Sequence, residues 1–111
     1  MTRKLCAGDR VVYRKPKVST RPGPRAADIQ ARPHGEDYAY VVDKYWIVTR
    51  VLEDDTVEVR TRRGKVHRVN RDDPSLRKAG WFDRLRGREH YRETREAAIK
   101  DGVLPPEAED R

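Results

Sequence analysis

The stretch from residue 38 to residue 52 is the most hydrophobic part of the chain, and it constrains the fold more than any other segment. Large apolar side chains alternate along it and occupy both parities: Tyr40 and Trp46 at even positions, Tyr45 and Ile47 at odd ones. A period of two is typical of a β-strand, because successive side chains point to opposite faces of the sheet. Since both parities are hydrophobic, the pattern predicts one long, bent central strand that is partly buried on both faces.

Shorter segments predict the partners of that strand. Residues 8–14 open with a Gly-Asp turn signal and are rich in β-branched and aromatic side chains, which favours a first strand. Residues 56–61 alternate cleanly, and residues 65–69 follow a turn in which Gly64 takes the position that needs a positive φ. The central strand and these two segments are therefore expected to form an antiparallel meander.

Residues 15–37 separate the first strand from the central one and contain four prolines and two glycines. Proline removes a backbone donor and both residues break helices and ladders, so this density predicts a loop of about twenty residues without regular structure. A loop this long is unusual inside a compact domain and is commonly either functional or disordered. It is therefore a candidate binding surface.

The last third of the chain predicts short helices. Asp73-Pro74 is a helix-start signal, which predicts a short helix over residues 74–78. Residues 88–100 predict a weakly amphipathic helix that ends near Gly102. The expected organisation is an N-terminal tail (residues 1–6), a β domain (7–80), a helical extension (81–101) and a disordered acidic tail (102–111) whose last nine residues contribute little to stability.

Aromatic side chains allow two interpretations. We assign Trp46 and Tyr40 to the core, because a chain with 35% hydrophobic residues needs its aromatics there; the alternative is a surface on which bases stack. Trp81, Phe82 and Leu85 are expected to seal the end of the β domain. The basic residues around them are expected to be exposed and form a further candidate phosphate-binding cluster: Arg77, Lys78, Arg84, Arg86 and Arg88.

Charge is arranged in blocks. Residues 1–35 carry a net charge of +7 and residues 60–95 carry +8, whereas residues 36–59 carry −5 and residues 96–111 carry −3. Arginine accounts for 19 of the 26 basic residues, and its planar guanidinium suits phosphate better than an ammonium does. A GC-rich genome would produce the same arginine excess without a functional cause. The two basic blocks nevertheless favour a polyanionic partner.

Two sets of basic side chains are candidate nucleic-acid contacts. The predicted hairpin and its flanks carry one set, Arg60, Arg62, Arg63, Lys65, Arg68 and Arg71, and the long loop carries the other, Lys15, Lys17, Arg21 and Arg25. Cations on a protruding segment contact phosphates, and each neutralised phosphate makes binding more sensitive to salt. The competing interpretation is that these charges keep a small β protein soluble and its sheet edges unpaired.

Catalytic and cofactor chemistry find little support. His34, His67 and His90 are far apart and have no cysteine or carboxylate at metal-ligand spacing, which predicts no metal site. No phosphate-cradling glycine loop is present, and Cys6 has no evident histidine partner that would make it a nucleophile. We therefore expect no enzymatic activity, no cofactor and no small-molecule substrate.

The same sequence indicates a compartment. A single cysteine cannot form an intramolecular disulfide, which favours a reducing environment. No apolar run approaches the ~20 residues of a membrane helix or the roughly 7–15 of a signal peptide. A cytoplasmic protein without a membrane partner is expected.

One strand, a long loop and a three-stranded meander outline a mainly β fold, a small SH3-like barrel of about five strands with a C-terminal helical extension. Residues 7–13 resemble the first strand of KOW, Tudor and transcription-factor interaction modules. A wider series over roughly residues 7–88 is similar to a family of small uncharacterised bacterial proteins and implies a shared fold and a bacterial origin. The matching positions are Gly8-Asp9-Arg10-Val11-Val12-Tyr13-Arg14, Pro22-Gly23-Pro24-Arg25-Ala26, Tyr38-Ala39-Tyr40, Val42-Asp43-Lys44, Trp46, Thr61-Arg62-Arg63-Gly64-Lys65, Asp73-Pro74, Leu76-Arg77, Trp81 and Arg84-Leu85.

Two functions fit these observations. The first is a non-catalytic module that binds RNA or DNA through phosphates with weak sequence specificity, either free or in a ribosome- or polymerase-type assembly. The second is a protein–protein interaction adaptor of the SH3-like type with no nucleic-acid role, since fold alone does not decide function. Convergence of Arg25, the hairpin cations and the Arg84–Arg88 group on one face would favour the first.

Overall fold

The computed structural model describes residues 5–19, 24, 26–31 and 38–106. These residues form a mainly β structure followed by two short helices, which confirms the predicted β class. The elements, in chain order, are β1 (Arg10–Ser19), β2 (Ala26–Ala31), β3 (Tyr38–Val51), β4 (Thr56–Arg60), β5 (Val66–Asn70), β6 (Leu76–Lys78), α1 (Trp81–Arg86) and α2 (Arg88–Lys100).

All six strands belong to one antiparallel sheet in the order β5-β4-β3-β1-β6, with β2 paired to β3 beside this path. The prediction of a barrel of about five strands was only partly correct. The described residues contain six strands, and β5 and β6 end the sheet without pairing to each other, so it is not closed into a barrel. The predicted meander of the central strand and its two successors is present as β3, β4 and β5.

Strand β3 is the centre of the molecule. Its 14 residues pair with β1 along most of their length and with β2 near their start, and the last five run beside β4. Trp46 and Val48 are buried on one face and Ile47 on the other, as the double alternation predicted. The register with β4 shifts between Val48 and Arg50, an irregularity of the kind that bends a strand.

Each face of the sheet has its own hydrophobic core. On the first face, residues of β1, β3, β4 and β6 form a cluster with Leu5: Val11, Trp46, Val48, Val57, Val59 and Leu76. Leu76 of the edge strand β6 and residues of β4 both belong to this cluster, so it extends across four strands of the sheet. On the second face, Val12 and Ile47 pack against α2. The Tyr91 hydroxyl of α2 donates a 2.9 Å hydrogen bond to the Val11 carbonyl, which ties the helix to the sheet.

The prediction that residues 15–37 lack regular structure was wrong for two parts of that range. Strand β1 continues to Ser19, and Ala26–Ala31 forms β2; both pair with the first half of β3. Pro16 is tolerated inside β1 because of its position. The Arg14 amide donates to Ser75 beside β6, and amides alternate in direction along a strand, so the Pro16 nitrogen points to the same side, beyond the end of β6.

A short helix was predicted over residues 74–78, but residues 74 and 75 form a turn and Leu76–Lys78 forms the strand β6. Asp73 does act as a local cap, because its carboxylate accepts a 2.8 Å hydrogen bond from the Ser75 amide. The chain then extends, and Leu76 to Lys78 pair with β1. A single helical turn is only marginally stable alone, so pairing with the sheet decides the conformation.

The predicted seal at the end of the β domain is also incorrect. Trp81, Phe82 and Leu85 of α1 are 72%, 63% and 58% exposed, and the two aromatic rings contact each other edge to face at 4.7 Å. Apolar side chains are buried instead just after the end of α2. There Leu104 is 3% exposed and Val103 packs beside it against the core of the second face.

The predicted disordered tail over residues 102–111 therefore begins too early, because Val103 and Leu104 belong to the core. Residues 107–111 lie outside the described residues, as do residues 1–4 of the expected N-terminal tail. No helix in the described part of the chain is long and apolar enough to cross a membrane.

Candidate functional site

Three aromatic rings from three strands stack on the first face of the sheet. Trp46 of β3 lies between Tyr13 of β1, at a centroid distance of 4.9 Å and 16° between planes, and His67 of β5, at 4.7 Å and 15°. Trp46 is buried, as predicted for a core residue, whereas Tyr13 and His67 are half-buried. The stack thus forms the floor of a depression whose walls are the flanking strands.

Lysine and arginine side chains surround this floor. A pocket of about 380 Å³ is lined by the three rings together with Lys15, Lys44, Thr61, Lys65, Arg68 and Val69. We call it the lysine pocket. Among the described residues that line it there are four cationic side chains besides His67 and no carboxylate. Lys15 and Lys65 form no ion pair with any residue that the structure describes.

Strand register explains why these residues meet. Tyr13 and Lys15 are two residues apart on β1, and Lys44 and Trp46 are two apart on β3, so each pair shares the first face. Tyr13 is paired with Lys44 in the ladder, which brings the two strands' cations to the same level as the rings. The rest of the pocket comes from the β4–β5 connection and β5.

The electrostatics of His67 reflect the surrounding charge. Burial lowers the pKa of its imidazole, and the nearby ammonium groups of Lys65, Lys15 and Lys44 lower it further. The ring therefore favours its neutral form at neutral pH. The pKa of the Tyr13 hydroxyl is raised instead, by burial and by the Asp73 carboxylate. This hydroxyl donates a long hydrogen bond of 3.4 Å to Asp73.

The pKa of His67 leads to a prediction about stability. Because the folded state lowers this pKa, the unfolded chain takes up the proton first, and the stability present above about pH 6.5 falls as the pH drops through the folded pKa. The His67→Phe variant keeps an aromatic ring in the stack and loses the titrating group. Urea unfolding at neutral and mildly acidic pH should show that acid weakens the natural protein more than this variant. An equal loss in both would contradict the assignment.

The structure divides the predicted nucleic-acid contacts into separate groups. Lys15, Lys65 and Arg68 line the lysine pocket. Lys17 follows on the same face of β1, opposite Tyr40, and Arg63 is exposed at the tip of the β4–β5 connection, where Gly64 has the expected positive φ. Arg21 and Arg25 lie outside the described residues.

The remaining three predicted contacts are engaged by carboxylates. Arg60 pairs with Asp101 at 3.2 Å, Arg62 with Glu93 of α2 at 3.6 Å, and Arg71 with Asp55 at 2.6 Å. Lys65 lines the lysine pocket whereas Arg62 pairs with Glu93 of α2, so basic residues of one hairpin serve different surfaces. The described members of the basic blocks thus do not converge on one pocket.

The sequence did not reveal Lys44 as a site residue, nor that the rings of Tyr13, Trp46 and His67 form the floor of the pocket. Lys44 lies in the acidic block of residues 36–59, so a count of charges by block does not single it out. A signal was present, since the parity that places Tyr13 beside Lys15 also places Lys44 beside Trp46. Combining the two patterns required the pairing of β1 with β3.

This arrangement suits binding better than bond-making. Several ammonium groups over an apolar floor attract anions, and no carboxylate among the described lining residues competes with a ligand. Both ring faces of Trp46 are covered, so the stack supports the pocket and leaves the cations to make the polar contacts. No protein-family model matches the chain, and no curated protein or solved structure matches it significantly.

Proposed function

We propose that this protein is a non-catalytic nucleic-acid-binding module that contacts the phosphates of RNA or DNA with its lysine pocket. The observation that carries the proposal is the convergence of Lys15, Lys44, Lys65 and Arg68 around the ring stack, with no carboxylate among the described lining residues. The partner is a polynucleotide, either free or in a ribosome- or polymerase-type assembly.

The finer fold assignment belongs to the same proposal. We propose that the sheet is an open variant of an SH3-like barrel, and that the chain is related to the small bacterial family that it resembles. Two features support this: the consecutive pairing of β3, β4 and β5, and the return of the short strand β6 to the outer side of β1. The hydrophobic core that four strands share on the first face is a further similarity to a small barrel.

A polymer suits the basic surface better than a single small anion. Lys17 follows Lys15 along the same face of β1, and Arg63 is a further exposed cation at the tip of the β4–β5 connection. A chain of phosphates engages such spaced cations together, which gives steep salt dependence. Lysine side chains that contact phosphates recognise their charge and not the edges of the bases, so affinity should vary little between nucleotide sequences.

The double variant Lys15→Ala/Lys65→Ala tests this function. Both side chains line the pocket without an ion pair to any described residue, so the fold should persist while affinity for RNA and DNA pools falls. The slope of log affinity against log salt should also become shallower by roughly two units, one for each phosphate that the variant no longer neutralises. Fluorescence anisotropy between about 50 and 200 mM salt measures both quantities.

A matched variant separates the pocket from general charge. Arg50→Ala/Lys100→Ala removes the same charge from exposed cations that do not line the pocket. It should retain more affinity than the pocket variant. Equal losses of affinity in the two variants would show that net charge, and not the pocket, determines binding. A natural protein that binds neither RNA nor DNA at about 50 mM salt would overturn the proposed function.

One observation favours the adaptor function as a second candidate. Trp81, Phe82 and Leu85 form an exposed apolar patch flanked by Arg84, Arg86 and Arg88, which suits a partner protein with apolar side chains amid acidic ones. Binding to such a partner that is abolished by Trp81→Ala, in a protein without measurable nucleic-acid affinity, would establish this alternative.

A further inference from the structure

A second cationic pocket lies on the other face of the sheet. It measures about 310 Å³ and is lined by Arg10 of β1, Arg84 of α1, and Arg88, Tyr91, Arg92 and Arg95 of α2. We call it the arginine pocket. Arg10 is paired with Ile47, whose side chain belongs to the core of the second face, whereas the neighbouring Trp46 belongs to the first. The arginine pocket and the lysine pocket are therefore separate sites.

Helical spacing assembles most of the arginine pocket. Arg88, Arg92 and Arg95 stand at i, i+4 and i+7 on one stripe of α2, and Arg84 precedes Arg88 by four residues across the junction of the two helices. Tyr91, on the same side, is fixed by its hydrogen bond to the Val11 carbonyl. The stripe therefore has a defined position against β1, which adds Arg10 from the sheet.

The junction between the helices is held closely to the sheet. A Cβ atom at Gly87 would lie 2.7 Å from Cδ1 of Tyr45 and 2.9 Å from Cε2 of Tyr91. Only glycine fits this approach without displacing two packed rings. Close packing here fixes the junction of the two helices against the sheet, next to the helical turns that carry Arg84 and Arg88.

Cationic side chains predominate in the lining of the arginine pocket. Of the described residues that line it, five are arginines and none is acidic. Arg92 pairs with Glu89 and Glu96 on the exposed surface of α2, but Arg84 and Arg88 have no ion pair with any described residue. Like charges held together in a partly buried pocket repel each other, and a bound anion relieves that repulsion.

The donors identify the class of anion. A guanidinium binds phosphate oxygens through two parallel hydrogen bonds, a geometry that an ammonium does not reproduce. Several guanidinium groups around one small pocket supply more donors and charge than a single carboxylate uses. A volume near 310 Å³ is at the lower end of the range of about 300–1,000 Å³ for small-ligand sites. These features suit a compact, multiply charged phosphate chain.

We propose that the arginine pocket binds linked phosphates, the chemistry shared by inorganic pyrophosphate, the phosphate chain of a nucleotide and a 5′-triphosphate end of a polynucleotide. This proposal does not rest on the function proposed for the lysine pocket. Arg84 and Arg88 hold the phosphate oxygens from the helices, Arg10 approaches from the sheet, and Arg92 and Arg95 complete the lining on α2.

Thermal unfolding with inorganic pyrophosphate tests the proposal. At constant ionic strength, saturating pyrophosphate should raise the melting temperature by on the order of 5–10 °C, whereas chloride should not. Arg84→Ala/Arg88→Ala should abolish the rise, and Arg84→Lys/Arg88→Lys should weaken it because lysine lacks the planar fork. The lysine-pocket variant Lys15→Ala/Lys65→Ala should keep the full rise, which separates this site from the proposed function.

The source of the phosphate is resolved by comparing ligands. A nucleoside triphosphate is compared with its nucleoside, and a 5′-triphosphorylated oligonucleotide with its 5′-hydroxyl form; the strongest phosphate-dependent rise identifies the source. If the alanine variant does not fold, the lysine variant supplies the test. Absence of a rise with all three phosphate ligands would overturn the proposal, as would an undiminished rise in the arginine variants or its loss in the lysine-pocket variant.

Discussion

Replacing Trp46 by alanine is expected to lower the free energy of unfolding by about 3–5 kcal/mol. The ring is 7% exposed, stacks between Tyr13 and His67, and belongs to the hydrophobic cluster on the first face of the sheet. A loss of this size approaches the whole stability of a small domain, typically about 5–15 kcal/mol. Urea unfolding followed by circular dichroism should show a large decrease in the midpoint or an already unfolded chain.

The second tryptophan provides the control for that experiment. Trp81 is 72% exposed, so Trp81→Ala makes the same chemical change without opening a cavity and should alter the unfolding free energy by less than about 0.5 kcal/mol. A Trp46→Ala variant that unfolds as cooperatively and at the same midpoint as Trp81→Ala would show that the ring stack does not support the core.

The effect of C-terminal truncation on stability should depend sharply on whether Leu104 is removed. Ending the chain after Pro106 is expected to leave the melting temperature nearly unchanged. Ending it after Gly102 removes Leu104, which is 3% exposed against α2 and the second face of the sheet, and should cost about 2–5 kcal/mol. This reverses the expectation from sequence that the last nine residues contribute little.

A point substitution distinguishes the effect of packing from that of chain length. Leu104→Ala in the full chain should reproduce most of the cost of the longer truncation, because the buried side chain carries it. Leu85→Ala is the matched control, since Leu85 is 58% exposed on α1. Equal melting temperatures for Leu104→Ala and Leu85→Ala would place Leu104 outside the core.

Elements governed by local rules were predicted well. The double alternation of residues 38–52 corresponds to β3, whose faces are both buried, and the helix predicted over 88–100 has the observed bounds of α2. Gly64 adopts the positive φ expected in its turn. In each case the deciding interaction, a side-chain period or a backbone preference, acts within a few residues.

Predictions failed where a distant segment decides the outcome. Pro16 argues against a strand until β1 is seen to extend past the end of β6, where no strand among the described residues needs a donor from the proline nitrogen. Leu104 follows a turn and precedes Pro105-Pro106, so its neighbours in sequence suggest a tail. The hydrophobic surface that buries it comes from residues of β1, β3 and α2.

The candidate site was only partly accessible from sequence for the same reason. Composition and charge blocks pointed to a polyanionic partner and identified Lys15, Lys65 and Arg68. They did not reveal that Arg60, Arg62 and Arg71 are paired with carboxylates 16 to 41 residues away in sequence, nor that Lys44 joins the pocket.

The sequence by itself determined the local conformation of β3, β4, β5 and α2 and how much positive charge the chain carries, whereas it did not show β2 or β6. Only the tertiary structure decided which charges are available and which act together. Side-chain period places a residue on one of two faces, but the register of β1 against β3 and the docking of α2 determine its neighbours. The lysine pocket and the arginine pocket both arise from contacts between segments far apart in the chain, and such contacts depend on the packing of the whole sheet.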